Sequence, residues 1–237
     1  VEIPEQLNGL WQTLAFFDLH TDGQKDIAHG NYGLNTKFNL NFDDSLLMYH
    51  SDFDNNGVEE TVLAYNHNGS YYPLNTKDEL AGQMNVISKR FKDHNSMAGQ
   101  LVEDVLTKEA IQKAKVYRVD VLASGYLKNN NGTFSSFIPL DKEFQLAPIN
   151  TISEIKLNST NQLLFGGNSY KMNTYHGAYN SLKGLLLKND KEFDLLSEFG
   201  LKPLYEQVKH LQVIPMKNEN ILLILSNNQA LKTYSFK

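Results

Sequence analysis

Residues 52–60 read DFDNNGVEE, and oxygen-bearing side chains occupy the first, third, fifth and ninth positions of this stretch. A loop with that spacing can wrap a hard cation such as Ca²⁺, because such ions take oxygen ligands from several points of one short loop. Glycine at the sixth position permits the sharp turn, since it adopts a positive φ at no steric cost. The spacing predicts five ligands, the fourth of them through its backbone carbonyl: Asp52, Asp54, Asn56, Val58 and Glu60.

The residues on either side of this loop predict strands rather than helices. Residues 45–49 and 61–65 are short apolar and aromatic runs, which are typical of β-strands. The loop shares its first nine positions with the calcium loop of an EF-hand, but Leu63 stands where the EF-hand has its twelfth-position glutamate. We therefore expect a calcium loop inside a β-hairpin.

A second copy of the pattern lies upstream, where residues 18–26 read DLHTDGQKD. The same positions give the candidate ligands Asp18, His20, Asp22, Gln24 and Asp26. Imidazole is a poor ligand for a hard cation, so His20 either swings aside for water or admits a softer divalent ion. Two such loops with matching apolar flanks indicate an internal repeat, and a repeat points to a solenoid or a propeller.

Residues 76–115 interrupt the strand pattern. Thr76 and Glu79 have the spacing of a capping box, and apolar residues then recur at helical spacing. We predict a helical insertion over residues 76–115, placed within a single domain that spans residues 1–237. Strand patterns resume at residue 116 and continue to the end of the chain.

Composition limits the classes of function that the chain can have. The 237 residues are 41% hydrophobic and 21% charged, as in an ordinary globular protein, and the formal net charge is −5. This acidic balance argues against a nucleic-acid or anionic-membrane surface, and no apolar run reaches the length of a membrane span. The absence of cysteine excludes a disulfide framework, a thiolate metal site and a cysteine nucleophile.

No catalytic motif stands out in the chain. The seven histidines show no HExxH spacing, and no Gly-x-Ser-x-Gly, phosphate-loop or dinucleotide pattern is present. We therefore predict that the protein is not an enzyme. An alternative is a glycan-active enzyme, which would need two facing carboxylates; Glu103 with Asp104, or Asp190 with Glu192, are neighbours in sequence only. A further alternative is a structural segment that docks within a larger chain.

Several stretches together resemble the FG-GAP/VCBS-repeat proteins, which are integrin-α-like β-propellers. The likeness is strongest to large exported proteins of Bacteroidetes that are related to cartilage acidic protein. The stretches that carry it are residues 16–18, 26–31, 52–57, 72–80, 122–127, 144–148 and 165–179. Two positions depart from the family pattern, because His20 replaces a carboxylate or amide and Glu60 replaces an aspartate. Residues 154–162 lie where a third loop is expected but lack its acidic ligands.

The resemblance implies an all-β fold, a β-propeller of which this chain has about four or five blade-like units, decorated by the helical insertion. It also implies Ca²⁺ in the loops, an extracellular or cell-surface location, including association with an outer membrane, and a role in binding or adhesion to a protein or glycan. Family members are usually longer on the N-terminal side. The chain is therefore expected to be the C-terminal part of a larger propeller, whose remainder would cover its strand edges.

Overall fold

The computed structural model describes residues 7–40, 44–171, 177–190 and 192–236. Residues 172–176, which belong to one of the stretches that resemble the family, lie outside the described residues. The chain is mainly β, with 40% strand and 16% helix, and this confirms the all-β expectation in its coarse form. Contacts divide the chain into two compact units, Val1–Lys37 with Leu122–Lys237, and Phe38–Val121. The single domain over residues 1–237 stays a prediction.

The chain consists of short antiparallel strands, and one group of short helices interrupts them. In chain order the strands are β1 Thr13–Phe17, β2 Asp26–Gly30, β3 Leu46–Ser51, β4 Glu60–His67, β5 Ser70–Pro73, β6 Lys115–Val119, β7 Gly125–Leu127, β8 Asn129–Asn130, β9 Thr133–Phe134, β10 Ile138–Pro139, β11 Ile149–Leu157, β12 Thr160–Gly167, β13 Leu185–Leu187, β14 Phe193–Leu195, β15 Val208–Pro215, β16 Asn220–Ser226 and β17 Lys232–Phe236. The helices are α1 Lys77–Gln83, α2 Asn85–Arg90, α3 His94–Met97, α4 Val102–Val105 and α5 Lys108–Lys113, with 3₁₀ turns at Lys142–Gln145 and Leu196–Phe199.

The unit formed by Val1–Lys37 and Leu122–Lys237 contains three successive antiparallel sheets. Their strand orders are β1-β2-β7-β10, β11-β12-β13-β14 and β15-β16-β17, and β8 and β9 form a separate hairpin. The other unit interrupts the first of these sheets in sequence, because β2 pairs with β7 across it. Strand β11 contacts β1 and β2 of the first sheet and β15 of the third, so the three sheets pack one against the next.

Two inner strands of the middle sheet, β12 from Leu163 onward and β13, are buried on both faces, which explains their continuous apolar runs. Successive side chains of a strand point to opposite faces. Leu163 and Phe165 of β12 accordingly join a buried cluster that includes Phe17 of the first sheet. Leu164, between them in sequence, joins a second cluster that includes Leu222 of the third sheet. A strand covered on both sides has no position left for polar alternation.

A Gly-Asn pair occurs at the same place in the first two sheets, at the end of the second strand. Gly30 ends β2 and Gly167 ends β12, and a Cβ at these positions would lie 2.5 Å and 1.9 Å from a backbone oxygen. The asparagines that follow, Asn31 and Asn168, are fully buried and donate from Nδ2 to backbone carbonyls. The repeated dipeptide in the sequence therefore corresponds to a repeated packing arrangement.

The second unit, Phe38–Val121, combines one sheet with the five helices. The sheet has the order β5-β4-β3-β6. The chain leaves the sheet after β5, forms all five helices and rejoins the sheet at β6, which lies beside β3. The helices fall inside the stretch 76–115 for which the sequence predicts them. Their apolar residues form a buried cluster with the sheet. Its members from the helices and from the residues that end them include Leu80, Met84, Ile87, Phe91, Met97, Val102 and Val105.

Helix α1 begins with the capping box that its sequence predicts. Thr76 Oγ1 accepts the Glu79 N–H at 3.3 Å, and Glu79 Oε2 accepts the Thr76 N–H at 2.8 Å. Two backbone donors that the helix itself cannot satisfy are thereby paired.

Replacing Thr76 by alanine is expected to lower the free energy of unfolding by about 1 kcal/mol, because the helix loses its side-chain cap. Thr76→Ser keeps the hydroxyl and serves as the matched control, for which we expect little change. Chemical denaturation followed by circular dichroism measures both variants. An equal loss in the two variants would show that the threonine methyl group, rather than the cap, stabilises this end of the helix.

Candidate metal centre

The downstream loop, residues 52–60, joins β3 to β4, and Ser51 and Glu60 face one another where the hairpin opens. Asp52 organises its backbone, since Oδ1 accepts the Asn56 N–H at 3.0 Å and Oδ2 accepts the Gly57 N–H at 2.9 Å. Gly57 has a φ of 86°, in the left-handed region that glycine favours. The structure therefore contains the tight loop that the sequence predicts, and the loop lies inside a β-hairpin.

Three of the predicted ligands come together in this loop. Asp52, Asp54 and Glu60 each offer one carboxylate oxygen, and these atoms all lie within 4.8 Å of one another. Ca²⁺ takes oxygen ligands at about 2.3–2.6 Å, so two ligands of one ion lie at most about 5 Å apart. Among the residues that the structure describes, this is the only group of three or more acidic, histidine or cysteine side chains that meets the distance limit.

Two oxygens of this cluster are buried without a hydrogen-bond partner. Glu60 is 3% exposed, and its Oε2 accepts the Phe53 N–H at 2.8 Å. Its other oxygen, Oε1, has no donor, and neither has the buried Oδ1 of Asp54. A buried carboxylate oxygen without a donor is costly, and two of them in one cluster also repel each other. A divalent cation would satisfy both, so the donor set fits Ca²⁺.

The remaining two predicted ligands of the downstream loop are placed differently. Asn56 Oδ1 accepts the Val58 N–H at 2.7 Å, which closes the turn in the middle of the loop. Val58 is 64% exposed, as suits a residue predicted to contribute only its carbonyl. Their roles as ligands stay predictions.

The acidic neighbour Glu59 does not belong to the cluster. Its Oε2 lies 2.9 Å from His50 Nε2, and its side chain is 67% exposed. Two adjacent glutamates therefore differ in environment, one directed at a histidine on the surface and the other buried beneath the loop. This contrast makes Glu59 a matched control for substitutions of Glu60.

The upstream loop, residues 18–26, joins β1 to β2 and repeats the same hydrogen bonds position by position. Asp18 Oδ1 accepts the Asp22 N–H at 3.0 Å, and Oδ2 accepts the Gly23 N–H at 2.9 Å. Asp22 Oδ1 accepts the Gln24 N–H at 3.0 Å, as Asn56 does in the downstream loop. The two loops thus share the same hydrogen bonds to their backbone, although the upstream carboxylates, all of them among the described residues, do not form a comparable cluster.

Two of the carboxylates considered for glycan chemistry make contacts with other groups. Asp104 Oδ2 accepts the Leu101 N–H at 3.2 Å, which places it at the start of α4 as a capping group. Asp190 Oδ2 lies 4.0 Å from His20 Nε2 of the upstream loop. The prediction that the protein is not an enzyme stays a prediction.

One cavity lies beside residues that sequence patterns did not single out. It has a volume of about 590 Å³ and is lined in part by Trp11, Leu14 and His29. His29 Nε2 is buried without a hydrogen-bond partner, and burial lowers the pKa of this imidazole. The ring centroid of Trp11 lies 5.3 Å from that of His29. An isolated histidine carries no motif, so only its three-dimensional surroundings distinguish it.

Comparisons with known proteins found no matching family model, no matching curated protein and no matching solved structure. The resemblance to FG-GAP/VCBS-repeat proteins therefore stays a prediction from the sequence stretches that carry it. Among the described residues, no helix has both the length and the apolar character needed to cross a membrane.

Proposed function

We propose that this chain is a non-catalytic, calcium-stabilised β-rich binding module of an exported or cell-surface bacterial protein. The observation that carries the calcium part is Glu60 Oε1, which is buried in a cluster of three carboxylates and has no hydrogen-bond donor. The sequence resemblance supports the bacterial, surface-exposed part of the proposal and the expectation of a protein or glycan ligand.

The proposed role of the cation is structural. The three carboxylates come from both ends of the downstream loop, with Asp52 directly after β3 and Glu60 at the first position of β4. A bound Ca²⁺ would neutralise their repulsion and tie the two strands together at the loop. The hairpin in turn forms the centre of its sheet, because β3 and β4 are the two inner strands of the order β5-β4-β3-β6.

The propeller part of the proposal rests on the three packed sheets of the first unit. Each sheet is a small antiparallel array, and the inner strands of the middle one are covered on both faces, as those of a blade are by its neighbours. The first and third sheets keep exposed apolar residues at positions that alternate with their buried ones. These include Leu14 and Phe16 in β1, Ile214 in β15 and Leu225 in β16. We propose that these faces contact further sheets of a larger propeller.

Calcium binding can be measured directly on the chelator-treated chain by isothermal titration. We expect one site, with a dissociation constant in the range of about 10⁻⁴–10⁻³ M that is usual for extracellular modules. Asp54→Ala removes one cluster ligand and is expected to abolish binding. Glu59→Ala removes the same charge from the adjacent surface and should leave binding intact. Absence of binding in the wild-type chain would refute the calcium part of the proposal, and equal weakening by both substitutions would point to diffuse attraction by acidic surface charge.

A further inference from the structure

The two loops have the same hydrogen bonds to their backbone but differ in which groups donate to their ninth-position carboxylate. In the upstream loop this carboxylate belongs to Asp26, which is 2% exposed. Its Oδ2 accepts the Leu19 N–H at 3.1 Å, the counterpart of the bond from Phe53 to Glu60. Its Oδ1 accepts the Asn129 N–H at 2.8 Å, so a backbone donor occupies the oxygen whose counterpart is unpaired in the downstream loop.

The third position is where the two loops differ most in chemistry. His20 Nδ1 lies 2.8 Å from Asp26 Oδ2, a distance at which the ring N–H donates a hydrogen bond to the carboxylate. The downstream loop has Asp54 at this position, which can only accept. The third residue therefore supplies a donor to the ninth in one loop, and in the other it adds a half-buried carboxylate whose Oδ1 is buried.

The His20 ring is held in this orientation by its surroundings. Its side chain is 16% exposed, and its centroid lies 5.8 Å from that of Tyr126 on the neighbouring strand β7. Its second nitrogen, Nε2, lies 4.0 Å from Asp190 Oδ2. Displacing the ring would leave Asp26 without one of its donors in a buried position, which carries a free-energy cost.

We propose that His20 takes the place of the metal ion in the upstream loop, so that the chain binds one calcium ion and not two. The inference rests on the proposed function for the downstream loop. It deepens that function, because it assigns the cation to one copy of the repeat and a protein side chain to the other. The upstream loop keeps the backbone hydrogen bonds of the downstream loop, but His20 and the Asn129 N–H already satisfy the carboxylate that a cation would bind.

The test is the number of calcium ions bound at saturation, measured by titration calorimetry on chains whose folding is checked by circular dichroism. The wild-type chain is expected to bind one ion and Asp54→Ala none. His20→Asp places a carboxylate at the third upstream position and is expected to raise the number to two. The double variant His20→Asp with Asp54→Ala is expected to bind one ion, now in the upstream loop.

A matched control adds the same charge to the same loop at a position that is not a ligand. Thr21, the fourth residue, has a φ of 55°, and Asn55 occupies the equivalent position downstream with a φ of 58°. Since aspartate tolerates this conformation, Thr21→Asp should fold and should still bind only one ion. A second ion in Thr21→Asp would overturn the inference, because an added charge anywhere in the loop would then suffice.

The outcomes separate this inference from the proposed function. Two ions in the wild-type chain, or one ion retained in Asp54→Ala, would overturn the inference while leaving the chain a calcium-binding protein. No ion in the wild-type chain would refute the calcium part of the proposed function, yet a gain of one ion in His20→Asp would still support the role of His20. If neither His20→Asp nor the neutral variant His20→Asn binds an additional ion, the inference about His20 is overturned. If neither variant folds, the number of ions bound by Asp54→Ala decides whether the upstream loop binds calcium, since this substitution leaves the upstream loop unchanged.

Discussion

Saturating calcium is expected to raise the melting temperature of the chelator-treated protein by about 10–20 °C if Phe38–Val121 unfolds on its own. A ligand at 100 times its dissociation constant stabilises the folded state by about 2.7 kcal/mol. A small domain gains roughly 4–8 °C per kcal/mol, whereas a chain of this length unfolding as one body gains roughly 2–4 °C per kcal/mol. A shift of only about 5–10 °C would therefore indicate that both units unfold together.

Differential scanning calorimetry with calcium or with chelator measures this shift, and the substitutions locate it. Asp54→Ala should melt at the same temperature in both conditions, because the variant no longer binds the calcium ion that stabilises the wild type. Glu59→Ala should keep the full shift, since its carboxylate faces His50 rather than the cluster. An unchanged shift in Asp54→Ala would mean that calcium stabilises the chain elsewhere. Magnesium at the same concentration should act more weakly, since it demands a tighter octahedral arrangement of ligands.

The variant Glu60→Gln is expected to be more stable than the wild type in chelator and less stable than the wild type in calcium. In chelator the wild-type chain keeps a buried, unpaired carboxylate oxygen beside two other carboxylates. Glutamine removes that charge, retains an oxygen for the Phe53 N–H and adds an amide that can donate within the cluster. We expect the variant to be more stable than wild type by about 1–3 kcal/mol in chelator. In calcium it should be the less stable protein, because a charged ligand of the cation is gone.

The matched substitution is Glu59→Gln, which makes the same chemical change one residue earlier. It should alter stability little in either condition, since Glu59 is largely exposed and exposed ion pairs contribute at most about 1 kcal/mol. Urea unfolding at fixed calcium, and again in chelator, gives the four free energies that are compared. A loss of equal size in both conditions for Glu60→Gln would show that the negative charge of Glu60 stabilises the fold without calcium, which contradicts the prediction.

The sequence predicted the parts of the structure that depend on neighbouring residues. The downstream loop lies in the expected hairpin, and α1 begins with the expected capping box at Thr76. Each of these features is set by side chains and turns within a few positions of one another, so a pattern of residues is enough to indicate it.

Sheet order depends on distant pairs and was not predictable in the same way. Strand β2 pairs with β7, with Ile27 opposite Leu127, although the whole of Phe38–Val121 lies between them in sequence. Likewise β6 returns beside β3 after five helices. Short strands of similar composition are compatible with many pairings, and only the packing of the complete core selects one of them.

The two loops show most clearly what sequence alone determined and what tertiary structure decided. Residues 18–26 and 52–60 each contain the groups that curl their own backbone, and those bonds span at most seven residues. The shared shape of the loops therefore follows from sequence. Whether the ninth carboxylate lacks a donor does not, because Asp26 receives one from Asn129, 103 residues away, while Glu60 Oε1 receives none. Two loops with the same backbone hydrogen bonds thus differ in their need for a cation, since the fold brings a distant N–H to one buried oxygen and not to the other.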